Sequence, residues 1–182
     1  MSRLARLIVP GFPHHVTQRG NRRAPVFFED GDYALYRDLL AERCRKAGVA
    51  CWAYCLMPNH VHLLIETPDG NMARGMQHLH GLYARIFNDK YACVGHHFQG
   101  RYGSKVIRDD AYLLTVARYI ALNPADAGLP HDWPWNSFVA ATTGEAPRWL
   151  DVDRLLEYFD PWTNEPMRYY KELVSGALLG SG

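Results

Sequence analysis

His60 and His62 stand one residue apart in the stretch MPNHVHLLIE, residues 57–66, at the start of an otherwise apolar run. An extended chain sends alternate side chains to opposite faces, so His60, His62 and Leu64 share one face and Val61, Leu63 and Ile65 the other. The odd-numbered face is an ordinary core face. The even-numbered face presents two imidazoles about 7 Å apart along the strand, from the ~3.3 Å rise per residue. Both rings can tilt toward one ion; a pair of half-buried histidines at a sheet edge is the plain alternative. A second constellation lies in DAYLLTVARYIALNP, residues 110–124, where Tyr119 and Asn123 stand at i and i+4 on one helical face. Leu113, Val116 or Ala117, and Ile120 lie on the other side and can dock on a sheet. That helix offers a phenol beside an amide oxygen. A rim tyrosine and an asparagine capping the chain before proline are the structural alternatives.

These residues need elements to hold them. Residues 12–19, FPHHVTQR, read as a strand with a polar stripe, followed by a basic loop punctuated by Gly and Pro. Residues 30–47 read as a helix with Leu35, Leu39 and Leu40 on one face and a glycine stop after it. Residues 49–56 and 60–66 read as strands joined by a turn at Pro58-Asn59, hence a hairpin. Residues 71–90 carry Met72, Met76, Leu79, Tyr83, Ile86 and Phe87 at helical spacing. Residues 97–107 read as a strand, and Asp109 or Asp110 caps a helix over about 111–123 that Pro124 limits.

The order β-α-β-β-α-β predicts an α+β fold, the ferredoxin-like split βαβ arrangement: one antiparallel sheet with two helices on one face. An additional helix toward the C-terminus carries the tyrosine. Residues 1–130 are expected to form the core domain. Residues 131–182, rich in Trp and Pro, are expected to form an irregular extension that wraps it.

Composition sets limits around this frame. No stretch approaches the ~20 apolar residues a membrane helix needs. The N-terminus is basic and briefly apolar without a cleavage-site pattern, so it reads as mature protein, and a cytoplasmic location is expected. Cys44, Cys51, Cys55 and Cys93 form no C-x-x-C pair and read as thiols rather than a disulfide framework. The net charge of +1 hides an asymmetry: residues 1–123 hold 16 Lys/Arg against 10 Asp/Glu, and residues 124–182 hold 4 against 9. A basic body suits a polyanionic partner.

His60-Val61-His62, followed about sixty residues later by a helix reading Tyr-Ile-x-x-Asn-Pro, resembles the single-tyrosine HUH transposases. The likeness is to the REP-associated tyrosine transposases, relatives of the IS200-type enzymes. PHHVTQRGNRR, CLMPNHVHLLI and FQGRYGSKVI are similar to that family's first strand and loop, histidine strand and fourth strand. The resemblance spans roughly residues 6–130. It implies that Tyr119 is the nucleophile that attacks a phosphodiester of single-stranded DNA, leaving a 5′-phosphotyrosine and a free 3′-hydroxyl. It implies that His60 and His62 are metal ligands and that Asn123 supplies a third, amide-type ligand. A free phenol ionises near pH ~10, so a nearby cation would ease formation of the phenolate. Two imidazoles and an amide oxygen suit Mg²⁺ or Mn²⁺, the latter being the better match for imidazole.

The expected substrate is single-stranded DNA bearing a hairpin from a palindromic repeat. Contacts to it are expected from Arg19, Arg22, Arg23, Arg101, Lys105 and Arg108, with Tyr102 stacking on an unpaired base. Either His15 or Gln18 on the first strand can approach the metal or the phosphate; a solvated strand position accounts for them equally well. His78 and His80 read as structural. The chain is expected to work as a monomer or a homodimer. The alternative function is a non-catalytic ferredoxin-like binder of DNA or RNA hairpins, whose sheet face would carry aromatics where this one carries histidines. A zinc hydrolase is a third option, but it lacks a placed general base.

Overall fold

The computed structural model describes residues 7–159, 161 and 163–176. Four strands, β1 (Pro13–Arg19), β2 (Ala50–Met57), β3 (His60–Glu66) and β4 (Gly103–Val106), form one sheet in the order β2-β3-β1-β4. Every neighbouring pair is antiparallel. The helices α1 (Asp30–Ala47) and α2 (Met72–Tyr91) connect β1 to β2 and β3 to β4, which is the expected split βαβ topology. A further helix, α3 (Asp110–Asp126), follows β4.

The two sheet faces have different covers. Val61, Leu63 and Ile65 are fully buried, and Cys51, which pairs with Ile65, meets Tyr36 and Cys44 of α1 on that side. Tyr36 in turn packs its ring against Tyr83 and His80 of α2. Helices α1 and α2 thus form one layer. Helix α3 lies across the opposite face, the one that carries His60 and His62, and brings Tyr119 to it.

Two boundaries differ from the sequence-based expectation. The fourth strand is confined to Gly103–Val106 rather than 97–107. Phe98 makes only an isolated bridge to Gly20, and the ladder resumes at Gly103. A Cβ at Gly103 would stand 2.8 Å from Thr17 Oγ1, so glycine is what lets the two strands close up there. Helix α3 runs through Pro124 to Asp126 instead of stopping before it. Proline has no N–H to give to the carbonyl four residues back. That carbonyl, Ile120 O, accepts from Asn136 Nδ2 at 3.3 Å, and Ala121 O accepts from the same nitrogen at 2.9 Å. The substitute donor makes the proline tolerable.

The C-terminal extension is more regular than expected. It holds α4 (Ser137–Thr143), α5 (Val152–Leu156) and α6 (Pro166–Ser175). These helices are too short for a periodic pattern to stand out among the Trp and Pro residues. The extension also covers the outer edge of β2. Leu56 N–H donates to Trp135 O at 2.9 Å, Tyr54 N–H to Ser137 Oγ at 2.8 Å, and Asp151 N–H to Cys51 O at 2.8 Å. An uncovered edge strand invites pairing with other chains, and here the chain's own tail occupies that edge.

Candidate active site

Strand β3 holds His60 and His62, and the β1–β3 register sets Arg19 opposite His60 and Thr17 opposite His62. Directly opposed residues share a face, so these side chains converge beneath α3. The His60 and His62 rings meet edge to face with centroids 4.8 Å apart. Tyr119 of α3 stands edge-on to His62 at 5.1 Å and to His15 at 6.1 Å. His15 stacks on His62 at 5.2 Å, and its Nε2 lies 3.0 Å from His62 Nδ1. The Asn123 side chain comes near enough to His60 to influence its ionisation. The expected meeting of the phenol, the amide and the two imidazoles is therefore present.

Helix α3 is held in this position from behind. Asp109 caps its start by accepting from Tyr112 N–H at 2.7 Å. Arg118 Nε donates to Leu173 O of α6 at 2.9 Å, and Tyr170 Oη, fully buried, donates to Ala117 O at 3.4 Å. With the two bonds from Asn136, the extension grips the backbone on either side of Tyr119. Tyr119 itself is 44% exposed, open to a large substrate.

The imidazoles are set up as neutral bases. Burial first, then the neighbouring His15, His60 and Arg19, push the His62 pKa down to about 3. Burial and then Lys105 push His15 down to about 4. His60 is lowered by burial and by Arg19, against an opposing effect of the nearby Asn123 side chain. At neutral pH all three keep a lone pair on one ring nitrogen.

Tautomers follow from the neighbours. Asn59 Nδ2 donates to Arg23 O at 3.4 Å, which turns its Oδ1 to His60. The 2.6 Å contact is then a His60 Nδ1–H donated to Asn59 Oδ1, leaving the lone pair on Nε2. His62 Nε2 is buried without a hydrogen-bond partner among the described residues. No group of three or more His, Cys, Asp or Glu side chains among the described residues is disposed to hold a metal ion. The donor set on offer is two imidazole nitrogens and the Asn123 amide. An orphaned buried nitrogen beside a correctly oriented imidazole fits a divalent cation with open positions.

The basic residues divide. Arg19 is exposed beside His60. Arg22 and Arg23, in a short 3-10 turn after β1, are exposed and adopt positive φ of 54° and 63°. Arg101 and Arg19 line a polar notch of about 370 Å³ with Thr17, Gln18 and Gln99. Lys105 pairs with His15 and rests over the Tyr112 ring at 4.1 Å. Arg108 lies past the opposite end of the sheet from Arg19, beside Asp109 and Asp110, and does not reach the site. Tyr102, expected to stack on a base, is only 5% exposed and packs near His80 on the other face. Gln18 also turns to that face and donates to Gly100 O. Of the two first-strand candidates, it is His15 that joins the site. Asn59 adjoins His60 but reads from sequence only as a turn residue, and Asn136 lies 15 and 16 positions from the α3 carbonyls it serves.

A βαββαβ sheet whose paired histidines face a tyrosine on a covering helix is the architecture of the single-tyrosine HUH proteins. Residues 9–123 match the family described as Transposase IS200 like, and the chain belongs to that family. It is 31% identical over 118 residues to a Haemophilus influenzae protein assigned to the REP-associated tyrosine transposases. That alignment covers 57% of this chain and 66% of the relative, just under two thirds of its length. The fold is similar to the solved structure of a REP-associated tyrosine transposase bound to a REP hairpin, with a TM-score of 0.66 at 22% identity. That match covers 84% of this chain and 93% of the other. No helix among the described residues is long and apolar enough to cross a membrane.

Proposed function

We propose that the chain cuts and rejoins single-stranded DNA beside a hairpin-forming repeat, with Tyr119 as nucleophile. The phenolic oxygen forms a bond to phosphorus as the bond to the 3′-oxygen breaks. The phenol gives up its proton, and the leaving oxygen takes one to become a 3′-hydroxyl. The 5′-phosphotyrosine keeps the bond energy, so attack by a 3′-hydroxyl reverses the step. His60, His62 and Asn123 would hold Mg²⁺ or Mn²⁺, which when bound supplies charge neutralisation at the phosphate. Arg19, Lys105 and Arg101 fit the role of backbone grips that draw the strand toward Tyr119.

The observation that carries this reading is the 5.1 Å approach of an exposed tyrosine ring to a buried histidine 57 residues earlier in the chain. Family membership and the hairpin bound by the structural relative support the substrate class. The approach of Tyr119 to His62 within one chain supports a site assembled in cis, in a monomer or in each copy of a homodimer.

The test is a denaturing gel of protein incubated with a labelled hairpin carrying a single-stranded flank and Mn²⁺. A covalent protein–DNA band that Tyr119→Phe removes is the expected outcome. Retention on a native gel with no adduct, indifferent to that substitution, would identify a binding module instead.

A further inference from the structure

The His15–His62 pair is a contact that the proposed chemistry does not by itself require. We infer that His15 is a positioning residue for the site: it accepts the Nδ1–H of His62 and so fixes the lone pair on His62 Nε2. The inference rests on the proposed metal-assisted reaction only for its purpose, not for its geometry.

Two neutral imidazoles 3.0 Å apart share one proton in one of two senses. If His15 donated, His62 would have to carry its own proton on Nε2. That atom is buried and has no acceptor among the described residues. An orphaned buried N–H is among the rarest features of folded proteins, since its full desolvation cost is left standing. If His62 donates instead, its buried Nε2 keeps a bare lone pair, the form a metal ligand needs. His15 then carries its proton on Nδ1, and it is half-exposed, so that N–H can be met by water.

The strand geometry makes the arrangement durable. His15 stands opposite Leu64 and one step along β1 from Thr17, which stands opposite His62. The two rings are therefore diagonal neighbours on one face, which suits their 25° stacked arrangement. His60 has a separate orienting partner in Asn59. Each histidine of the pair is thus set by a different residue, one from the preceding turn and one from the neighbouring strand.

The experiment reads the ring nitrogens directly by long-range nitrogen–proton correlation on ¹⁵N-histidine-labelled, metal-free protein. In the wild type His62 should show a protonated Nδ1 and a bare Nε2. In His15→Ala it should become a mixture of tautomers, and His15→Gln, which restores an acceptor, should return it to one. Mn²⁺ titration of the same proteins without DNA should show about a 10- to 100-fold loss of affinity for His15→Ala, the usual scale for an orienting partner, with recovery in His15→Gln. A His62 that carries its proton on Nε2 in the wild type overturns the inference, and so does unchanged Mn²⁺ affinity in His15→Ala. If the tautomers behave as stated but the wild type binds no Mn²⁺, the His15–His62 assignment stands and the metal-assisted reading falls.

Discussion

Tyrosine meets histidine on both sides of this sheet, with opposite consequences. On the helical face Tyr36 and His80 are buried, and the Tyr36 hydroxyl lies 2.9 Å from His80 Nε2. On the other face Tyr119 is open to solvent beside His62, whose Nε2 has no hydrogen-bond partner among the described residues. The residue types are the same. In the first pair the polar atoms satisfy each other, and burial drives the Tyr36 hydroxyl far from ionisation, with Cys51 adding to the effect. In the second, an exposed phenol and a buried ring nitrogen are both left unspent among the described residues. A histidine–tyrosine contact signals chemistry only where its polar atoms are not already used up internally.

Paired substitutions should separate the two most sharply. Tyr119→Phe is expected to abolish the covalent adduct, a loss of at least about 10³-fold given that no other hydroxyl replaces it. Its effect on stability should stay within about 0.5 kcal/mol, as for other exposed positions. Tyr36→Phe should do the reverse: the adduct forms normally, and stability falls by about 1–3 kcal/mol because a buried tyrosine–histidine hydrogen bond is lost. Adduct gels and denaturant titrations on both variants would check this. If Tyr36→Phe also removed the adduct, the division between the faces would fail.

Asn136 ties the structural side to the chemical one. Its Oδ1 caps α4 by accepting from Phe138 N–H at 3.0 Å, while its Nδ2 serves Ile120 O, which Pro124 leaves open in α3, and the neighbouring Ala121 O. Asn136→Ala should cost about 2–4 kcal/mol, combining a lost cap with buried carbonyls left unpaired. Adding Pro124→Ala restores a backbone N–H in the helix, so the double variant should recover part of that loss. Thermal unfolding of the two variants tests the coupling; strictly additive losses would refute it.

The sequence made one half of this comparison legible and hid the other. Alternation along residues 60–66 put both histidines on one face, and i,i+4 spacing put Tyr119 with Asn123, because both patterns are local. What joined His15 to His62 is the β1–β3 register, set by pairing between residues 47 positions apart. Tyr102 is one position out of phase with Gly103, which pairs with Thr17 on the site face, so alternation itself turns it to the other face, where it meets His80 together with Phe98. Arg108 looked close only because it follows β4 in sequence; the strand runs away from Arg19. Asn136 lay in a stretch whose Trp and Pro content concealed a helix cap.

Acid should distinguish the helical layer from the site by a different route. Asp32, 1% exposed, accepts from Lys90, Tyr91 and the N–H groups of Phe28 and Glu29. Burial pushes its carboxyl up, but the hydrogen bonds together outweigh it and hold the pKa below the ordinary value. A depressed folded-state pKa means stability that is present above the unfolded value, ~3.9, and is lost as pH falls through the folded one. Asp32→Asn should therefore lower stability at pH 7 by about 2 kcal/mol, on the scale of charged hydrogen bonds, and flatten the acid limb of the unfolding curve below pH ~4. Melting curves of both proteins between pH 7 and the acid transition would show an unchanged limb if the carboxylate were not responsible.

The smallest expected effect concerns Arg22 and Arg23, where structure and function should pull in opposite directions. Both backbones sit in the left-handed region at positive φ, which costs a non-glycine residue on the order of 1 kcal/mol. Both side chains are exposed next to Arg19 at the site end of β1. Among the described residues neither packing nor a side-chain hydrogen bond explains why arginine rather than glycine stands there; a phosphate contact would. Arg22→Gly and Arg23→Gly should each raise stability by a few tenths to about 1 kcal/mol. Each should also weaken hairpin binding and reduce its salt dependence by roughly one phosphate contact. Binding isotherms across a range of salt concentrations give the slope. A glycine variant that is more stable and binds the hairpin with an unchanged slope would remove these two arginines from the nucleic-acid surface, leaving Arg19, Arg101 and Lys105 to carry it.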